Sequence, residues 1–178
     1  PTMPLKFWND KNDNKFKDAY FNRFPNIWHH GDFAEIKKTK GFIIHGRSDT
    51  TLNPGGVRLG TAEIYSEVEK FKEIKESIVV GQSWDNDVRI ILFIIMNEKF
   101  ILTENLLKKI KIQIRKNASP RHVPSKVIEV KDIPRTKSGK IVELAVKNTI
   151  EGNNIKNKEA LANPKALEQF KNLKELNI

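Results

Sequence analysis

The sequence predicts a small α+β domain, with a short mixed or antiparallel sheet flanked by helices, after a lead-in of different character. Three observations carry that prediction. Two β-branched runs, Ser77–Gly81 and Val88–Met96, have the composition of strands. Apolar residues beside them fall at helical spacing: Ile64, Val68 and Phe71 at i, i+4 and i+7, then Leu106, Leu107, Ile110 and Ile114 as a second stripe. Turn signals separate these runs, above all Asn53-Pro54-Gly55-Gly56.

The elements follow in order. Residues 1–20 are rich in Asn, Asp, Lys and Pro, show no sustained period, and read as irregular. Residues 21–35, FNRFPNIWHHGDFAE, pack in aromatics, and Phe42–His45 is a short strand entering the turn run. Thr61 is the N-cap of a first helix, with Glu63 in its first turn. A loop over Gln82–Asp87 joins the two strands. Thr103 caps a second helix whose remaining surface carries Lys108, Lys109, Lys111, Arg115 and Lys116. Lys126–Val130 is a third strand that Pro134 stops. Val142, Ala145, Val146 and Ile150 give a third helix, with Glu143 and Lys147 as an i,i+4 pair. One short helix is expected after Pro164. The domain therefore spans 49–150, a polar tail spans 151–178, and residues 1–48 look like the trailing edge of something else.

Composition narrows the function. The 178 residues suffice for one core plus an appended piece, and a hydrophobic fraction of 38% is too high for a disordered chain. The longest apolar run, Val88–Met96, is interrupted by Arg89 and too short to span a membrane. With no cysteine, disulfides and thiolate metal sites are excluded, which fits a reducing compartment. The first ten residues lack a basic-then-apolar signal layout, so the expected location is cytoplasmic. The net charge of +10 is concentrated: Lys99–Lys147 holds 13 Lys or Arg against 4 Asp or Glu. Such a field attracts nucleic acid, nucleotides or other polyphosphates, although a solvated basic face explains it as well.

Three clusters could carry chemistry. Asp32 follows His30-Gly31, and its two oxygens match a vicinal diol, though Gly-Asp is also an ordinary turn. His29 and His30 read as packing or surface residues. Arg47-Ser48-Asp49 precedes Asn53–Gly60, where Gly55 and Gly56 would expose N–H groups to an anion and Arg58 could fork onto a phosphate. Finally, IPRTKSGKIVELAVK gathers Arg135, Lys137, Lys140 and Lys147 around Gly139. There Lys140 could reach a phosphate or a developing carboxyl-phosphate charge, or simply belong to a solvated turn. A Walker A loop is excluded, because Pro134 and Ile141 occupy positions that need Gly and Ser or Thr. No Ser-His-Asp set, metal-ligand spacing or zinc finger is present.

GDFAEI, GRSDTTLNPGGVRLGTAEIYSEVE, SPRHVPSK and IPRTKSGKIVELAVK together resemble the C-terminal part of the acyl-adenylate-forming enzymes, the acyl-CoA synthetases and their luciferase and peptide-synthetase relatives. The lead-in FWND…YFNRFPNIWHHGDF, the ending IVELAVK and the tail KNKEALANPKALEQF resemble the branch that activates acetoacetate. The likeness covers nearly the whole chain. It implies a C-terminal lid domain over 49–150, with 1–48 as the edge of a large N-terminal AMP-binding domain. It implies a two-step ligase: acetoacetate attacks ATP to give an acyl-adenylate and pyrophosphate, then the thiol of coenzyme A displaces AMP. On this resemblance Asp32 and Arg47 hold the ribose and Arg58 approaches a phosphate. Lys140 bridges the acyl carboxylate and the α-phosphate. Asp49 is the hinge about which the lid turns between half-reactions. Gly55 and Gly56 line the pantetheine channel, and Arg115 is a coenzyme A contact.

The family's phosphate loop, adenine pocket and acyl pocket lie in the large domain. Mg2+ is thus expected for the full enzyme, with no ligands and no metal site in this chain, and the chain alone is expected to be inactive. The alternative is a non-catalytic basic module on the same lid fold, binding nucleotide or nucleic acid. Nucleic acid would favour aromatic platforms within the basic surplus, where Phe100 stands alone.

Overall fold

The computed structural model describes residues 3–155 and 157–177; Pro1, Thr2, Lys156 and Ile178 lie outside the described residues. The chain forms two compact units, Pro1–Asp32 and Phe33–Ile178.

The first unit is less irregular than its composition predicts. A 3-10 turn over Lys11–Asp13 leads into helix α1, Asn14–Tyr20. The Asp10 carboxylate accepts from the N–H groups of Lys15 (3.0 Å) and Phe16 (2.8 Å), which fills donors that a helix start leaves open. Phe16 and Tyr20, four residues apart, meet edge-on at 5.4 Å, and Phe7 and Trp28 complete an aromatic knot. Seven residues are too few to display a period, so only the packing makes this helix visible.

Strands β1 (Asp32–Ile36) and β2 (Phe42–Arg47) pair as a two-stranded sheet. Helix α2 (Ala62–Val68) follows, with Thr61 at the predicted cap position but without a side-chain capping bond. The central sheet then forms from β3 (Ile74–Trp84), β4 (Asp87–Met96) and β5 (Lys126–Glu129), in the order β3-β4-β5. The β3–β4 pair is antiparallel and the β4–β5 pair parallel, so the sheet is mixed. A parallel neighbour needs a crossover, which helix α3 (Glu104–Asn117) supplies. Thr103 caps α3 as predicted, its Oγ1 accepting from the Leu106 N–H at 3.2 Å. Helix α4 (Glu143–Ile150) follows, and the tail adds 3-10 helices over Lys158–Ala160, Pro164–Phe170 and Lys174–Leu176.

The expected loop over 82–87 is instead a two-residue turn. β3 continues to Trp84, and only Asp85 and Asn86 turn, both at positive φ (50° and 60°). Two positive φ values match the twist of the flanking strands, and Asp and Asn tolerate them better than other non-glycine residues.

From Ile90 to Met96, β4 is continuously apolar because the sheet is covered on both faces. Val79, Ile90, Leu92 and Ile94 join a core with Ile64 and Val68 of α2 and Leu106, Ile110 and Ile114 of α3. Ile78, Val80, Ile91 and Phe93 join a second core with Ala145 and Val146 of α4 and with Leu161, Leu167, Phe170 and Leu176 of the tail. Among the described residues no helix is long and apolar enough to cross a membrane.

Candidate functional site

The Lys140 turn is a tight hairpin. Arg135 and Ile141 form an antiparallel bridge. The Thr136 N–H donates to the Lys140 carbonyl (2.9 Å), the Gly139 N–H to the Thr136 carbonyl (2.8 Å), and the Lys140 N–H to Thr136 Oγ1 (3.1 Å). Gly139 sits at φ +83°, with nothing within 4 Å of where a Cβ would stand, so glycine serves the backbone conformation and not the space. Lys140 is exposed, and its ammonium has no partner among the described residues.

The four cations of this stretch are not equivalent. Arg135 is spent internally: one guanidinium nitrogen donates to the Gly139 carbonyl (2.8 Å), the other to Glu76 on β3 (2.6 Å). The Lys137 backbone is held by the tail, its N–H donating to the Ala160 carbonyl at 3.2 Å. The predicted Glu143–Lys147 pair does not form; Glu143 instead takes the hydroxyl hydrogen of Tyr65. Tyr65 also accepts from the Val79 N–H at 3.0 Å, which ties α2, β3 and the first residue of α4 together. Burial, reinforced by the Glu143 charge, pushes the Tyr65 hydroxyl well above its ordinary pKa, so it stays a donor.

The glycine run is closed at its base by paired bonds between Leu52 and Leu59, at 3.0 and 2.9 Å, both residues being buried. Gly55 (φ +58°) and Gly56 (φ +75°) form the exposed tip. One expectation is corrected here: the Gly55 N–H is not open to an anion. It donates to both carboxylate oxygens of Asp87, at 2.9 and 3.0 Å, because the short β3–β4 turn brings that carboxylate beside the loop. A Cβ on Gly56 would meet nothing within 4 Å, so that residue leaves room for close approach. Arg58 is exposed, with no side-chain partner among the described residues.

Arg47 and Asp49 come together as a fork, with both carboxylate oxygens 3.3 Å from guanidinium nitrogens. In the first unit, Asp32 contacts the ring Nδ1 of His30, and its side chain remains 31% exposed. Arg115 lies exposed on α3 with Lys108, Lys109 and Lys116; none of the four has an ion-pair partner among the described residues. Glu76, Asp87 and Tyr65, which hold the hairpin and loops, escaped the sequence reading because their partners lie far along the chain.

Residues 63–140 match the family model described as the AMP-binding enzyme C-terminal domain, and Lys140 is the last residue of the match. The chain is 58% identical over 176 residues to an acetoacetyl-coenzyme A synthetase of Rhizobium meliloti, covering 99% of this chain and 27% of that protein. It is 49% identical to an acetoacetyl-CoA synthetase of Xenopus tropicalis, covering 99% of this chain and 26% of the relative. Among solved structures, an acetoacetyl-CoA synthetase from Streptomyces lividans superposes over 100% of this chain and 27% of its own, with a TM-score of 0.89 and 39% identity. The chain thus spans about a quarter of the length of the curated relatives it matches. Residues 63–140 thus match the AMP-binding enzyme C-terminal domain, and nearly the whole chain is similar to the C-terminal part of acetoacetyl-CoA synthetases.

Proposed function

We propose that this chain is the C-terminal lid of an ATP-dependent acetoacetate–CoA ligase, working in the cytoplasm. Its substrates are acetoacetate, ATP and coenzyme A, its products acetoacetyl-CoA, AMP and pyrophosphate, and its partner is the large N-terminal domain that its relatives carry. Residues 49–150 act as the lid, 1–48 as the edge of that large domain, and 151–178 as a tail. The observation that carries the reading is the Lys140 ammonium, exposed and without a partner among the described residues, on a braced hairpin at the end of the matched family domain.

In adenylation, Lys140 bridges the acyl carboxylate and the α-phosphate, where its charge offsets the negative charge that builds between them. Asp32 and Arg47 hold the ribose hydroxyls, and Arg58 takes a phosphate. Rotation about Asp49 then withdraws the lysine turn and brings in the Gly55–Gly56 tip beside the pantetheine arm, while Arg115 contacts coenzyme A. The Arg47–Asp49 fork lies at this pivot, so Arg47 has two roles to exchange as the lid turns. The Mg2+ of the reaction is assigned to the large domain. Without that domain the chain has no acyl pocket and is inactive.

The test separates the half-reactions in the chain joined to its N-terminal part. Lys140→Ala is expected to lower acetoacetate-dependent ATP–pyrophosphate exchange by about a hundredfold or more, and to leave thioester formation from preformed acyl-adenylate nearly intact. Equal loss in both half-reactions would contradict the assignment. The outward cations of α3 favour a second reading, a basic binding module for nucleotide or nucleic acid, which predicts salt-sensitive polyanion binding indifferent to Lys140.

A further inference from the structure

We propose that Arg135 is the positioning residue of the Lys140 turn: its guanidinium, anchored on Glu76, holds the Gly139 carbonyl and so sets where Lys140 points. The significance for catalysis rests on the role proposed for Lys140; the clamp itself does not.

The two legs of the hairpin are held differently. The outgoing leg is fixed through its backbone, since the Arg135 N–H donates to Asn163 Oδ1 (2.8 Å) and the Arg135 carbonyl accepts from the Ala162 N–H (2.8 Å). The Lys137 N–H to the Ala160 carbonyl continues the same edge. Among the described residues, the return leg, Ser138 to Lys140, has only its bonds to Thr136 and the one from the Arg135 side chain. A Cβ on Gly139 (φ +83°) would meet nothing within 4 Å, and a bare glycine turn has more conformations open to it than any other residue would allow. The guanidinium is therefore what ties the return leg to the sheet, across 59 residues of sequence to Glu76.

The pair is well built for this. Arg135 and Glu76 are each 32% exposed, so the ion pair is partly withdrawn from water, and Glu76 stands on a strand that cannot shift without disturbing the sheet. The planar fork reaches two acceptors at once, Glu76 at 2.6 Å and the Gly139 carbonyl at 2.8 Å. A lysine offers a single nitrogen on a flexible stem and lacks the planar fork that meets the two acceptors through separate nitrogens.

Limited trypsin digestion of the intact chain reads the turn directly, with initial cleavage after Lys137 and Lys140 followed by mass spectrometry. Arg135→Gln is expected to speed cleavage at those two sites about tenfold, with Arg135→Lys intermediate and cleavage within α3 unchanged. Glu76→Gln loosens the clamp from the sheet side with Arg135 intact, and decides the matter if Arg135→Gln proves too unstable. Unchanged cleavage at both turn lysines in Glu76→Gln and in folded Arg135→Gln would overturn the proposal. In the chain joined to its N-terminal part, Arg135→Gln should lower the kcat of pyrophosphate exchange about tenfold with little change in KM for ATP, and Arg135→Lys should recover part of it. The two claims fail separately. Faster turn cleavage, with exchange indifferent to Lys140→Ala, keeps the clamp and removes the role of Lys140. Exchange abolished by Lys140→Ala, with turn cleavage unchanged in Arg135→Gln, does the reverse.

Discussion

Glu67 and His122 are buried polar residues, and their surroundings are expected to make the fold sensitive to acid. Glu67, on α2, accepts from Asn117 and Gln113 of α3 (both 2.9 Å) and from Lys70 (2.6 Å). The Asn117 bond first, then Lys70, hold its carboxyl below the usual glutamate range. His122 shares a hydrogen bond with Ser119 Oγ at 2.8 Å, and burial pushes its pKa down against the opposing pull of Glu63. In both cases the unfolded chain binds a proton more readily than the folded one, so stability rises with pH. The His122 contribution is present above the unfolded imidazole value of about 6.5 and is lost as pH falls below it; the Glu67 contribution begins to be lost below about 4.3. Thermal melts are expected to show a loss of Tm between about pH 7 and 5, flattened in His122→Asn, and a further loss below about pH 4.5, flattened in Glu67→Gln. At neutral pH, Glu67→Ala should cost about 1–3 kcal/mol, since it leaves the two amides without their acceptor. A Tm flat from pH 7 to 3 would contradict this reading.

At the scale of elements, α3 was legible because its signals are local: Thr103 caps it and an apolar stripe four residues apart runs its length. The β3–β4 hairpin was half legible. Its core is β-branched, but Gln82, Ser83 and Trp84 carry the strand on through residues that read as loop, and the Asp85-Asn86 turn contains no glycine. The site behaved in the same way. The conformation of the Lys140 turn follows from neighbours and was foreseeable, whereas the pairings of Asp87 with Gly55 and of Glu76 with Arg135 span 32 and 59 residues and leave no local trace. Gly81 tests the hairpin's packing. A Cβ there would stand 2.8 Å from Val88 Cγ1 and 3.5 Å from Leu52, and the stiff valine cannot swing away. Gly81→Ala is therefore expected to destabilise by about 1–3 kcal/mol in denaturant titrations, and Val88→Ala in the same chain to recover part of that. Neutral behaviour of Gly81→Ala would mean the strands are packed less closely than described.

Across the whole molecule, the tail is part of the domain and not an appendage to it. Phe170 is fully buried and meets Phe93 of the central strand edge-on at 4.9 Å, while the Arg89 side chain, stacked 3.6 Å over Trp84, donates to the carbonyl of Leu176. Phe170→Ala should cost about 3–5 kcal/mol, read from a denaturant melt; a loss below about 1 kcal/mol would make the tail a loosely held strap. The same tail grips the outgoing leg of the lysine hairpin, so the second core and the site share one support. The central claim is that this domain supplies the adenylation lysine to a larger ligase. Acetoacetate-dependent ATP–pyrophosphate exchange, measured with the chain alone and after adding the N-terminal part of a relative, tests it most directly. Exchange that appears only on complementation, and disappears with Lys140→Ala, is the predicted result; exchange by the chain alone, or complemented exchange indifferent to Lys140, would contradict it.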